Sequence, residues 1–219
     1  MPTLNRLLAA AAALALSAPA LSITLNFEGI GHQVRPLGFY DAGAASNGSI
    51  GPDHGAVFDN EALVLTRGAY ENAPSPNGVL TLFQDLEDSL VLATLSIDGG
   101  FVGEFSGFYS ATSAGQISVF GAGGPNTPAL GTWQVASTNG GDCPAGTQPY
   151  RCWKPFSISL AGQVGYSVVF SGIELESLYD DITYTPYVPT APIPEPGTWA
   201  LMAAGLAGLA GAARRRRNA

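Results

Sequence analysis

An all-β fold, an antiparallel β-sandwich of the jelly-roll kind, is predicted by three observations. Short alternating apolar runs recur between Leu21 and Tyr184, clusters of Gly, Asn, Asp and Pro such as GAGGPNTP (Gly121 to Pro128) separate them, and no window keeps a helical period over three turns. The composition agrees, since 28 Gly and 16 Pro beside 12% charged residues describe strands joined by many turns.

The first strand follows from Ile23, Leu25 and Phe27 facing one way while Thr24, Asn26 and Glu28 face the other. Further strands are expected at Ser89 to Ser96, Gly100 to Ala111, Gln116 to Gly121, Gly131 to Ala136, Pro155 to Leu160, Tyr166 to Ser171 and Tyr179 to Tyr184. The first third, Gly29 to Pro76, reads as loop-rich and is expected to wrap over the ends of the sandwich, the kind of long irregular stretch that is often functional.

The 219 residues divide into a signal peptide over 1–20, one domain over 21–187, a linker over 188–193 and a C-terminal signal over 194–217. Met1 to Ala20 has one early charge, Arg6, an apolar run from Leu7 to Leu16 and then Ala18-Pro19-Ala20, the n-region, h-region and small-residue cleavage site of a secretory signal peptide read by the Sec translocon. Of the 17 acidic residues all but Glu195 lie between the two end segments, and of the 9 Lys and Arg only Arg35, Arg67, Arg151 and Lys154 do, so the middle of the chain carries a formal charge of −12. That excess repels phosphate backbones and makes nucleic acid a poor partner, while suiting a soluble extracellular surface or divalent cations.

Near the other end TAPIPEP (Thr190 to Pro196) precedes Trp199, an apolar run from Ala200 to Ala213 and four arginines. With Trp199 the apolar stretch is 15 residues, short of the roughly 20 of a stable transmembrane helix, and rich in Ala and Gly. It is expected to form a short apolar helix that spans only marginally, with Arg214, Arg215, Arg216 and Arg217 held on the cytoplasmic side and Trp199 at the opposite interface. Pro194, Glu195, Pro196, Trp199, the GLAGLAG run from Gly205 to Gly211 and the arginine block closely resemble the PEP-CTERM sorting domain. The resemblance implies recognition by an exosortase, a membrane cysteine transpeptidase, in a Gram-negative bacterium that makes exopolysaccharide. It also implies passage through the inner membrane to the cell surface or extracellular matrix. Glu195 and its flanking prolines are then recognition residues in a substrate.

The middle of the chain resembles a recurring domain of PEP-CTERM proteins. The motifs are NFEG (Asn26 to Gly29), GPDHGAVFDNEALVL (Gly51 to Leu65), APSPNGVL (Ala73 to Leu80), GEFSGFYS (Gly103 to Ser110), Trp153-Lys154-Pro155, VVFSG (Val168 to Gly172) and DDITY (Asp180 to Tyr184). This implies a carbohydrate-binding-module-like jelly roll, from which the segment around Cys143 to Cys152 departs. Related modules hold a structural calcium ion between carboxylates of the first and last strands. Glu28 and Asp181 stand in those places here, with Asp41 or Asp180 as additional ligands; the alternative is that Glu28 and Asp181 are solvent-face strand residues.

Cys143 and Cys152, the only cysteines, span a turn-rich loop and read as a disulfide in an exported chain; no further Cys or His stands at zinc-ligand spacing. Neither G-x-S-x-G nor H-E-x-x-H occurs, and the two histidines, His32 and His54, lie in the loop-rich third, His54 beside Asp53. A carboxylate pair among Glu104, Glu174 and Glu176 would suit glycoside hydrolysis if two met in a cleft, though nothing singles out such a pair. Sugar stacking has candidates in Tyr40, Tyr70, Trp133, Tyr150 and Trp153, the last two beside Arg151 and Lys154; core packing is the alternative for Trp133 and Trp153. The residues that would bind a ligand are left unassigned.

The reading is a non-catalytic exported surface or matrix protein associated with exopolysaccharide or biofilm and binding glycan. A secreted polysaccharide hydrolase is the alternative, and a purely structural or adhesive matrix protein a third. Two close carboxylates in a cleft would favour the hydrolase, a shallow aromatic platform the binding module, and neither the structural protein.

Overall fold

The computed structural model describes residues 21–66, 68–84, 89–139, 150–189, 201–207 and 214–216. In chain order the strands are β1 (Ile23–Leu25), β2 (Tyr40–Asp41), β3 (Asp53–Phe58), β4 (Ala62–Leu65), β5 (Val79–Leu82), β6 (Leu90–Ala111), β7 (Gly115–Phe120), β8 (Gly131–Val135), β9 (Lys154–Ser159), β10 (Gly165–Ile173) and β11 (Ser177–Pro186). The antiparallel β-sandwich expected from the sequence is the fold the chain adopts, and all its ladders are antiparallel.

β6 is long because it belongs to both layers. Its first half lies between β10, with Leu95 opposite Val168, and β3, with Ser96 opposite Val57. Its second half lies between β11, with Ser110 opposite Leu178, and β9, with Phe108 opposite Pro155. Between the halves Gly99, Gly100 and Gly103 have φ of 70°, 80° and 81°. These are left-handed conformations that a residue without Cβ adopts at no steric cost, and they turn the strand from one layer into the other. The first layer runs β2-β3-β6-β10-β7-β8; in the second β9 pairs with β6 and β6 with β11, whose far edge takes β1 and β5, with β4 beyond β5.

The core fills the gap between the layers. Phe170 of the first layer packs on Phe105 and Tyr179 of the second at ring-centroid distances of 6.3 and 4.9 Å. Phe101, Phe156, Ile182 and Tyr184 are fully buried around them. Burying an aromatic ring removes about 150–250 Å² from water, so this cluster dominates the stability of the sandwich. A second, smaller cluster of Tyr70, Val79 and Leu178, with Tyr150 and Trp153 against it, lies apart from the main core.

One irregularity in β11 sets the later geometry. Asp180 lies opposite Phe108 and Thr183 opposite Ser106, so β11 has two residues, Asp181 and Ile182, where β6 has only Gly107. Asp181 takes the extra-residue conformation at φ 47°, which Asp tolerates better than most side chains. The bulge lets Tyr179 and Ile182, three apart, both reach the core. A strict two-residue alternation would send one of them outward.

Three expectations need correction. Ser89 to Ser96 and Gly100 to Ala111 are halves of one strand, because the glycines at their junction bend the ladder instead of ending it. The first third is not loop alone, since β2, β3 and β4 lie in it and Phe39, Tyr40, Phe58 and Val64 are core residues. Phe27 lies beyond β1 in a left-handed conformation, φ 59°, and yet is buried. Gly78, next to β5, passes so close to Phe27 that a Cβ there would lie 2.1 Å from the Phe27 carbonyl oxygen.

The chain divides into two compact units, residues 1–187 and 188–219. In the second, residues 201–207 and 214–216 are helical. Among the described residues no helix is long and apolar enough to cross a membrane, so the transmembrane helix expected there is not found.

Candidate functional site: a groove on the outer face of the second layer

β11, β6 and β9 present their outward side chains to a groove of about 450 Å³, closed at one side by β1 and lined also by Trp133 of β8. Its floor is a row of hydroxyls in register across neighbouring strands. Thr24 is opposite Thr183, Thr183 opposite Ser106, and Ser106 opposite Ser157. Thr24 and Thr183 share a hydrogen bond of 2.9 Å between their Oγ1 atoms. At strand spacing the row is about 14 Å wide. One step along, Phe108 pairs with Pro155, adding two apolar surfaces that are not in the core. Trp133 is half-buried and packs against the core, and its indole Nε1 is buried with no hydrogen-bond partner. Glu104 and Asp181 supply the charges of the lining.

Beside the groove, Asp180 is fully buried and holds the segment before β5 against β11. Its Oδ2 accepts the Ser75 backbone N–H at 2.7 Å, its Oδ1 accepts the Asp181 N–H at 2.8 Å, and the Ser75 hydroxyl reaches both oxygens at 2.8 and 2.9 Å. Burial pushes the Asp180 carboxyl up to about 6 against the pull of these donors, with the nearby Asp181 charge adding to the rise. Burial and then the charge of Glu28 raise the Asp181 carboxyl as well. Glu28 is anchored by the Asn77 backbone N–H, 2.8 Å from its Oε1. The Tyr40 hydroxyl accepts the Phe27 N–H at 2.6 Å, and burial drives its ionisation far above the ordinary tyrosine range.

Glu28, Asp180 and Asp181 are thus brought into one neighbourhood from distant parts of the chain, although Glu28 follows β1 instead of sitting within it. Among the described residues no group of three His, Cys, Asp or Glu is arranged to hold a metal ion. The oxygens of Asp180 are already taken by protein donors, so a calcium ion would rest on Glu28, Asp181 and neutral oxygens. Asp41 lies exposed on β2.

The other candidates separate. Tyr40 and Tyr70 are core residues and offer no platform, Tyr40 meeting Phe27 and Phe39 edge to face and Tyr70 packing with Val79, Leu178 and Trp153. Trp153 donates its Nε1–H to the Glu71 carbonyl at 2.9 Å and meets Tyr70 edge to face. The Tyr150 hydroxyl donates to the Leu175 carbonyl. Glu104 lies at one end of the second half of β6 and Glu174 and Glu176 beyond the other, at the Ser177–Ala111 pair, roughly 20 Å apart at about 3.3 Å per residue. His32 Nδ1 accepts the Thr66 N–H at 3.2 Å, and His54 stacks on Tyr40 with ring centroids 6.1 Å apart. Cys152 is disulfide-bonded, while Cys143 lies outside the described residues. The signal peptide over 1–20 and Pro194, Glu195, Pro196, Trp199 and Arg217 also lie outside them, whereas Arg214 to Arg216 are helical and exposed.

Among solved structures the chain is similar in fold to the K2 cleaved adhesin domain of Lys-gingipain (16% identity, 75% of this chain, 99% of that chain, TM-score 0.48). It is likewise similar to the K1 cleaved adhesin domain of Lys-gingipain from Porphyromonas gingivalis W83 (13%, 77%, 99%, TM-score 0.46) and to a single-site mutant of the carbohydrate-binding module CBM29-2 (8%, 78%, 100%, TM-score 0.42). No curated protein matches the chain. The PEP-CTERM protein-sorting motif matches residues 192–217, beginning two residues ahead of Pro194, so the chain carries that sorting signal, which indicates an exported surface protein.

Proposed function

We propose that the protein is a non-catalytic glycan-binding component of the exopolysaccharide or biofilm matrix, delivered through exosortase processing of its C-terminal signal. The observation that carries the binding is the groove, in which the apolar surfaces of Phe108, Trp133 and Pro155 stand beside the hydroxyls of Thr24, Thr183, Ser106 and Ser157. A pyranose ring has apolar faces that stack on such surfaces and an equatorial rim of hydroxyls that exchanges hydrogen bonds with Ser and Thr.

Affinity electrophoresis of the 21–189 domain against a panel of soluble polysaccharides tests this reading. At least one polysaccharide is expected to retard the domain, with F108A and W133A each weakening the retardation about tenfold or more while a thermal melt reports whether W133A still folds. The bound oligosaccharide is expected to keep its mass. A panel without any retardation overturns the binding, and shortened oligosaccharide overturns its non-catalytic nature.

Glu28 and Asp181 are further proposed to share a weak calcium ion, supported by their like charges lying close enough to raise the Asp181 carboxyl. Millimolar calcium is then expected to raise the melting temperature by about 2–4 °C over EDTA, and E28Q to remove the rise. Equal melting temperatures in calcium and EDTA would exclude the ion.

A further inference from the structure

The charge of the groove carries the ligand class further, on the assumption that the groove binds glycan. None of its lining residues is Lys, Arg or His, whereas two are acids that flank the hydroxyl row on opposite sides along the strands, Glu104 two residues before Ser106 on β6 and Asp181 two residues before Thr183 on β11. Glu104 is exposed and Asp181 half-buried, so both carboxylates face whatever lies along the row. The nearest base in sequence, Lys154, precedes Pro155 on β9. It pairs with Tyr109, whose side chain is buried, so strand alternation turns Lys154 away from the face that carries Pro155. The surrounding domain adds a formal charge of −12 over residues 21–187, of the same sign as the groove.

An acidic polysaccharide, with a carboxylate or sulfate on each repeat, meets like charge on both sides of the hydroxyl row and over the whole domain. A neutral glycan meets no such penalty. A glycan of basic amino sugars gains, because a protonated amine on the ring rim can take the place of a hydroxyl and pair with Glu104 or Asp181 beside the row. We infer that the groove selects N-deacetylated hexosamine polymers, in which free amines alternate with hydroxyls along the chain, and rejects uronic-acid polymers. Two partly exposed ion pairs are each modest, so the preference of a basic over a neutral oligosaccharide is expected to be about tenfold at low salt and to shrink as salt screens it.

Calorimetric titration of the domain at about pH 6.5 in EDTA, which keeps Asp181 free of metal, with glucosamine hexamer, cellohexaose and hexagalacturonate separates the possibilities. The expected result is a glucosamine hexamer bound about tenfold tighter than cellohexaose, no measurable hexagalacturonate binding, and a ratio near one in the double variant E104Q/D181N. That variant changes the formal charge of the domain only from −12 to −10. A tenfold preference that survives it therefore belongs to the overall charge and overturns the assignment to the groove. Equal affinity of the wild type for the basic and neutral hexamers overturns the inference and leaves glycan binding standing. Binding of none of the three, together with an unretarded domain across the polysaccharide panel, overturns both.

Discussion

Replacing Asp180 by alanine is expected to destabilise the domain by about 3 kcal/mol, close to about 10 °C in melting temperature for a chain of this size. The side chain is fully buried and takes hydrogen bonds from the Ser75 N–H, the Ser75 hydroxyl and the Asp181 N–H. Alanine leaves those donors without their acceptor. The loss spreads because the Ser75 hydroxyl also reaches the carbonyls of Asn26 and Gly78, tying β1, β5 and β11 at one point. Asparagine keeps one acceptor oxygen and is expected to cost less. A chemical melt of D180A with a midpoint equal to wild type would show that Asp180 is a passenger.

The same residue gives stability a pH dependence of definite sign. Its carboxyl titrates at about 6 in the fold against an ordinary value near 3.8, so between these values the folded chain binds more protons than the unfolded one. Stability then falls as pH rises from about 4 to about 6, and the melting temperature in EDTA is expected to be higher at about pH 5 than at about pH 7. Asp59 and Asp181 are raised too and act in the same direction, so D180N flattens the profile without levelling it. A profile that climbs over that same interval would contradict the burial of these groups.

The second large effect lies in the sorting signal. In the native host, wild-type protein is expected to have an intact mass lacking both residues 1–20 and the segment following the Pro194-Glu195-Pro196 motif. E195A, or a host without its exosortase, is expected to retain the tail in the membrane fraction. Glu195 is the one acid after residue 189, and the four arginines lie on the far side of the apolar run, so the acidic motif and the basic end flank that run in sequence. The apolar stretch that follows the motif, Trp199 to Ala213, has 15 residues, fewer than the roughly 20 of a stable transmembrane helix. A wild-type protein that keeps its full tail in the membrane despite an active exosortase would sink the processing proposal.

Much of this protein was written in local order. Alternation marked β7, β8, β9 and β10 near their true bounds, because a strand with one buried face must repeat every two residues. The sorting motif was equally legible, since the elements that define it lie consecutively at 192–217. What the sequence determined alone was therefore whatever depends on neighbours along the chain. The groove depends on neighbours across it. Thr24, Ser106, Ser157 and Thr183 are ordinary residues that acquire a common purpose only through the register of β1, β11, β6 and β9. Phe108 is one of three aromatics in GEFSGFYS, and only the outward phase of β6 separates it from the buried Phe105. Conversely Tyr40 and Tyr70, plausible platforms in a loop, are buried because that loop is folded into the body. The bulge at Asp181 broke the two-residue rhythm, and its cause, two core residues three positions apart, exists only once β6 supplies the partner. Tertiary structure decided these matters because a β-sheet is held together by contacts between distant segments, and no local pattern states which distant residue will stand opposite.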